Sequence, residues 1–327
     1  MAGFGKLKKA TLALAIAAGF AASGAAQAGL VATAVLEVKS FQIRDATTNL
    51  ILDFSNFVPA SIADSATNTA RLNAVTVSNG ATGIGGVMNA LQASVGTAPP
   101  VENTFTHTTP PPAAGSQLAR ADSLLSGAPL TNVPGAITGS GALAQTVAEV
   151  LLTGNGNGHG DSGLGLNTVF NLVLTSIKTL RLDFLADHYL RTFLSADSLI
   201  PGSSTRASSA LSFTVDKVNA NGTTTNVFSW APNGQIGGIF GGIENFDEGN
   251  LNDTITTLVP GTTTARDLLG DQHFQADTTL VAGTYQFSIN QAVFADGTLR
   301  IPEPGSMALV GLGLLGLAAV RRRKASK

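Results

Sequence analysis

Acidic side chains gather in one short stretch. Glu244-Asn245-Phe246-Asp247-Glu248-Gly249-Asn250-Leu251-Asn252-Asp253 holds four carboxylates, those of Glu244, Asp247, Glu248 and Asp253, in ten residues. Calcium takes about six to eight hard oxygen ligands, and loops of acidic and amide side chains supply them. A second stretch, Asn155-Gly156-Asn157-Gly158-His159-Gly160-Asp161, also offers oxygen ligands on what reads as a loop. Neither follows the EF-hand spacing D-x-[DN]-x-[DN]-G. Calcium is therefore the one cofactor the sequence suggests, and a solvated acidic loop that keeps the chain soluble is the alternative.

Other chemistry finds less material. The histidines are His107, His159, His188 and His273, and no two make an H-x-H or H-x-x-x-H pair of zinc-ligand spacing. The bland reading of His188 and His273 is a strand-end or surface position. There is no cysteine, so disulfides, thiolate metal sites and cysteine nucleophiles are excluded. No G-x-S-x-G elbow occurs, and Gly237-Gly238-Ile239-Phe240-Gly241-Gly242 lacks the lysine of a phosphate loop. A secreted hydrolase would need two carboxylates about 5–9 Å apart in space, with Asp183, Asp187, Asp216 and Glu244 as first suspects. Trp230, Tyr189 and Tyr285 would be the material of a sugar-stacking platform. Phe228 and Trp230 fall on one strand face, however, which favours core packing.

The elements that position these residues are strands. Leu180, Leu182 and Phe184 alternate with polar neighbours, as do Leu211, Phe213 and Val215, Tyr285, Phe287 and Ile289, and Phe170, Leu172 and Leu174. Period-two alternation puts apolar side chains on one sheet face and polar ones on the other. After Ile289 the phase shifts to Ala292 and Phe294, which predicts a bulge near Asn290-Gln291. Leu30–Lys39, Phe41–Arg44 and Thr69–Val77 read as further strands. Asn221-Gly222 suits a type I′ hairpin turn between Leu211–Val218 and Thr224–Trp230, and Ala282-Gly283 punctuates two strands in a similar way. Residues 80–141 are rich in Gly, Ala, Pro, Thr and Ser and read as loop or linker, with short strands inside it as the alternative. Leu143, Val147, Val150 and Leu151 fit helical spacing over 141–152, against a strand as the other reading. The fold class expected is all-β, an antiparallel β-sandwich of jelly-roll or immunoglobulin-like kind.

The two ends carry signals of a different sort. Lys6, Lys8 and Lys9 precede the apolar run Ala10–Phe20, and small residues follow to Ala26-Gln27-Ala28. That is the layout of a secretory signal peptide over 1–28, a helix with a small-x-small cleavage site at Ala26 and Ala28. At the other end Ile301-Pro302-Glu303-Pro304-Gly305 precedes an uncharged run, 306–320, and then Arg321, Arg322, Arg323, Lys324 and Lys327. As a helix, Met307–Val320 reaches about 21 Å against a hydrocarbon core of about 30 Å, a short transmembrane helix that needs snorkelling arginines or local thinning. The basic cluster stays cytoplasmic, leaving Pro302-Glu303-Pro304 at the outer membrane–water boundary.

This tail resembles the PEP-CTERM sorting signal read by exosortases. The resemblance rests on Pro302, Glu303 and Pro304, the Gly/Leu-rich span from Gly311 to Leu317, and the Arg321, Arg322, Arg323 stop. It implies an exosortase and the secretion machinery as partners and a transient membrane anchor. It also implies a final place at the cell surface, outer envelope or exterior of a Gram-negative, exopolysaccharide-producing bacterium. The Phe228-Ser229-Trp230-Ala231-Pro232-Asn233-Gly234 run and Ala282–Ile289 are similar to one PEP-CTERM subfamily, EDSAP-1. The domain layout expected is therefore 1–28 signal peptide, 29–300 β-rich extracellular domain and 301–327 sorting tail.

Between the ends the charge balance changes. Three of the 19 Lys and Arg lie in residues 1–28 and five in the last seven, so residues 29–304 hold 11 basic against 21 acidic side chains, a net charge of −10. Such a surface repels nucleic acid, which is excluded as a partner. The expected function is non-enzymatic: an exported cell-surface or matrix protein with a structural role in biofilm or exopolysaccharide. The alternatives are a carbohydrate- or calcium-binding adhesion module and the secreted hydrolase.

Overall fold

Strands with one apolar face must hide it, and here two sheets hide theirs against each other. The computed structural model describes residues 28–53, 64–83, 88–97, 109–132, 141–198, 202–267 and 270–301, with positions 105 and 313 besides. In chain order the strands are β1 (Leu30–Asp45), β2 (Asp64–Leu72), β3 (Val75–Gly83), β4 (Met88–Gly96), β5 (Gln117–Ser126), β6 (Ala142–Leu152), β7 (Gly156–Leu174) and β8 (Lys178–Leu194). There follow β9 (Ser204–Val218), β10 (Thr224–Trp230), β11 (Ile243–Asp247), β12 (Thr254–Thr257), β13 (Thr262–Asp267), β14 (Gln272–Leu280) and β15 (Gly283–Leu299). The first sheet runs β11-β14-β8-β1-β6-β5-β4, with β13 also pairing β8, and the second runs β10-β9-β15-β7-β2-β3, with β12 also pairing β9. All the named strand pairs are antiparallel. The sandwich expected from the alternation is what forms. Among the described residues no helix is long and apolar enough to cross a membrane; residues 1–27 and 302–312, with the expected signal helix and most of the tail, lie outside them.

The core differs from one side of the sandwich to the other. Between β8 and β14 of one sheet and β9 and β10 of the other, aromatic rings fill the space. Phe184 lies 5.1 Å from Phe274, 5.3 Å from Phe213 and 5.6 Å from Trp230, centroid to centroid. Between β5 and β6 on one sheet and β7 on the other the filling is smaller, with Ala119, Ala148 and Val150 on the first sheet and Gly158 and Gly160 on β7. A Cβ on Gly158 would stand 2.5 Å from Val150 Cγ1, and one on Gly160 would strike the main-chain oxygen of Arg120. The backbones approach so closely that only hydrogen fits.

Several local expectations are corrected. Residues 141–152 form no helix: they are β6, paired with β1 and β5. From Val147 to Leu152 every side chain is buried. The outward face of the first sheet is covered there too, with Val31, Leu118 and Leu151 in a second small apolar cluster. Burial on both faces erases period two, and a short apolar run then fits either template. Within 80–141 it is the alternative of short strands that holds: the segment contains the end of β3 and all of β4 and β5. Leu30–Arg44 is one strand with a bulge, its register shifting between Lys39 and Gln42 around Ser40 at φ 54°. Thr69–Val77 spans a hairpin turn, leaving β2 and entering β3. The β9–β10 turn has only Gly222 at positive φ (80°), with Asn219 N–H donating to the Thr223 oxygen at 2.8 Å, so it is a longer loop than type I′. Ala282-Gly283 joins no hairpin but crosses from β14 in one sheet to β15 in the other.

No phase shift occurs after Ile289. Ile289, Gln291, Val293 and Ala295 continue one buried face, with Ala292 and Phe294 on the other. Gln291 stays inside because its amide nitrogen lies 2.9 Å from the Leu36 oxygen and 3.0 Å from Thr146 Oγ1 of the facing sheet. The break in register falls between Phe287 and Ile289, against β7.

Candidate functional site

The four carboxylates of the acidic stretch face four separate sets of donors. Glu244 on β11 accepts from Trp230 Nε1 with one oxygen and from the Gly237 N–H at 2.7 Å with the other. Asp247 Oδ2 takes the main-chain N–H groups of Asn233, Gly234 and Gln235 at 3.0, 2.9 and 3.2 Å. Glu248 accepts from the His273 N–H at 2.6 Å, and Asp253 from the Thr254 N–H at 2.7 Å. Main-chain N–H groups at a loop need acceptors, and a carboxylate takes several at once. Glu244 and Asp247 thus staple the glycine-rich loop 231–242 across the sandwich edge. Burial pushes the Asp247 carboxyl above the ordinary range, while its three N–H donors pull the other way. Among the described residues no three His, Asp or Glu side chains gather as a ligand set for a metal ion.

The second oxygen-rich stretch is strand, not loop. Gly158 and Gly160, near the start of β7, face the first sheet, which turns Asn157, His159 and Asp161 to the outward face. There His159 Nδ1 lies 2.5 Å from Asp296 Oδ1, and that carboxylate holds the imidazole above its usual range. Burial raises Asp161.

His188 is neither at a strand end nor on the surface. It is 1% exposed inside the core, its Nε2 is 2.8 Å from Ser209 Oγ, and burial lowers its pKa to about 4. A serine beside a histidine suggests a nucleophile, yet Ser209 is itself buried and donates to the Leu251 oxygen at 2.9 Å. His273 Nε2 lies 2.8 Å from Asp183 on the outward face of the first sheet. His107 lies outside the described residues. The hydrolase suspects do not converge. Asp183 and Asp187 share a face of β8 but stand four residues apart, about 13 Å. Asp216 is in the other sheet, beside Asn226, and Glu244 is on the edge strand. Trp230, Phe228 and Tyr285 are core, each at most 1% exposed.

What the fold does bring together is the two ends of the described chain. β1 starts and β15 ends at the same pole of the sandwich, for Leu30 packs against Gly297 across the sheets. Ala28 is buried. The Gly29 N–H donates to Ser195 Oγ at 2.7 Å, and the Gly29 oxygen accepts the Ser195 N–H at 2.9 Å. The Arg300 N–H donates to Ser203 Oγ at 2.9 Å, and the Ile301 N–H to Asn155 Oδ1. Ser195, Ser203 and Asn155 were not singled out in the sequence as clasps. Each is an ordinary turn residue whose partner lies far along the chain. Pro302 follows the last clasped residue directly. Ala26, Pro302, Glu303, Pro304, Arg321, Arg322 and Arg323 lie outside the described residues.

Residues 300–324 match the family model of the PEP-CTERM protein-sorting motif. The chain carries a PEP-CTERM sorting signal. The signal marks an exported protein that exosortase sorts, held for a time in the membrane by its tail. The first two matched residues, Arg300 and Ile301, are the clasped end of the domain, so the PEP-CTERM motif starts without a linker. No curated protein matches the chain, and no solved structure does.

Proposed function

We propose that this is a non-enzymatic structural protein of the cell surface or extracellular matrix, contributing to biofilm or exopolysaccharide after its sorting tail is cut. The observation that carries the reading is the junction at Ile301, where the sandwich passes straight into the sorting motif. Side chains link the two sheets on both sides: Trp230 donates to Glu244, and Asn68 Nδ2 lies 2.7 Å from the Leu91 oxygen and 2.8 Å from Ser123 Oγ. Among the described residues Glu244 and Asp247 hold the 231–242 loop, and His188 is buried against Ser209. Removal of 1–28 then precedes folding, because the bond after Ala28 is inaccessible once β1 has joined β6 and β8. Mass spectrometry of native protein from envelope and supernatant tests the proposal. It should find chains beginning at Gly29 and ending near Pro304, outside the cytoplasm. Intact chains retaining Lys6 and Arg322 in the cytoplasm would refute it.

One observation favours a second reading, a polysaccharide-binding adhesion module. The outward face of the second sheet carries hydroxyl and amide groups, with Ser212 and Thr214 on β9 paired with Asn290 and Ser288 on β15, and Gln286 next along. Retention of the mature domain in a gel containing exopolysaccharide would separate the two readings.

A further inference from the structure

Both ends leaving by one pole constrains how the domain stands while it is anchored. Residues 302–306 separate clasped Ile301 from the apolar span that begins at Met307, and five residues reach at most about 17 Å whatever their conformation. The headgroup layer takes roughly 5–7 Å of that. The domain therefore cannot drift far from the bilayer, and the pole of Gly29 and Ile301 is the end held against it.

The turn between β12 and β13 belongs to that pole. Thr257 pairs with Thr205 near the start of β9, and the Gly261 N–H donates 2.8 Å to the oxygen of Leu194, next to the Gly29 clasp. Between them stand Leu258 and Val259, 65% and 62% exposed. Two adjacent large apolar side chains at a loop tip have no packing role in the sandwich. We propose that, in the tail-anchored chain, this pole lies on the lipid surface with Leu258 and Val259 in the interfacial layer. The proposal rests on the sorting-tail reading and adds an orientation to it. Two side chains are too little to hold a domain of net charge −10 at a membrane alone. The tether supplies the effective concentration, and the loop sets the posture. The opposite pole, with exposed Leu50, Ile177 and Val281, then faces away from the membrane.

The absence of native cysteine makes the test direct. The full chain carrying Leu258→Cys, Val259→Cys or Ile177→Cys is labelled with an environment-sensitive fluorophore and reconstituted into phosphatidylcholine vesicles with nitroxide-labelled headgroups. Flotation first establishes that the chain is anchored. Labels at 258 and 259 should be quenched at least twofold more than the label at 177. Equal quenching at all three in chains that float overturns the orientation and leaves the anchor standing. Chains that do not float at all remove the anchor reading, and this proposal with it.

Discussion

Gln291 of β15 reaches across the sandwich so that its amide nitrogen lies 2.9 Å from the main-chain oxygen of Leu36 on β1, in a site 1% exposed. The same nitrogen is 3.0 Å from Thr146 Oγ1, so one side chain ties β15 to both β1 and β6. Its Oε1 has no partner there. Removing the side chain loses a buried hydrogen bond and opens a cavity. Gln291→Ala should cost about 2–4 kcal/mol in urea unfolding of the mature domain. Gln291→Leu fills the space and removes the unpartnered oxygen, so it should cost less than the alanine variant.

The glycine face of β7 predicts a steric result. At Gly160 a methyl group would press on the main-chain oxygen of Arg120, which cannot step aside. Gly160→Ala should destabilise by about 2–3 kcal/mol through overpacking. Gly80 on edge strand β3 has only the Ala66 oxygen near, at 3.4 Å, and Gly80→Ala should stay within about 1 kcal/mol of the parent. Equal melting temperatures for the two variants would refute the close approach of the sheets.

His188 predicts a pH dependence. Its folded pKa of about 4 lies below the ordinary value of 6.5, so the unfolded chain binds a proton that the folded one refuses. Stability is therefore full above pH 6.5 and declines as pH falls towards 4, by about 3 kcal/mol over that window. Urea midpoints measured from pH 7 to 4 should fall less steeply in His188→Asn than in the parent. His159 has the opposite sign. Asp296 raises its pKa, so its contribution is present at low pH and is lost as pH rises through the raised value. Asp296→Asn should remove that contribution without changing the His188 slope.

Asp247 predicts the fate of the edge loop. Its Oδ2 is the shared acceptor for three consecutive N–H groups, and Asp247→Ala leaves Asn233, Gly234 and Gln235 without it. The loss should be about 2–3 kcal/mol. Hydrogen exchange should speed up in 233–242 before it does in β8 or β14, since the loop is stapled rather than packed.

Much of the strand content was legible because polarity alternates residue by residue. Leu180, Leu182 and Phe184 announce β8 without reference to anything else in the chain. The alternation failed where it was not the deciding pattern: β6 is buried on both faces, and Gln291 looks like a break in phase until its acceptors on Leu36 and Thr146 are seen. The acidic stretch shows the same dependence on partners distant in the fold. Four carboxylates in ten residues read as a ligand set, and in the fold each also accepts from protein donors: the Trp230 indole and loop N–H groups for Glu244 and Asp247, the His273 N–H for Glu248 and the Thr254 N–H for Asp253.

The sequence by itself determined the sorting motif at 300–324, the all-β class and the acidity of residues 29–304. Each of these is a sum or a period over neighbouring residues. Only the tertiary structure decided that Ala282-Gly283 changes sheets, that His188 is core, that alternating glycines let two backbones touch, and that Gly29 and Ile301 leave by one pole. Those outcomes depend on contacts between residues on different strands, from Arg120 with Gly160 to Gly29 with Ser195 and Ile301 with Asn155. The cost of closing such loops is met by the whole packed sandwich, and no local pattern records it.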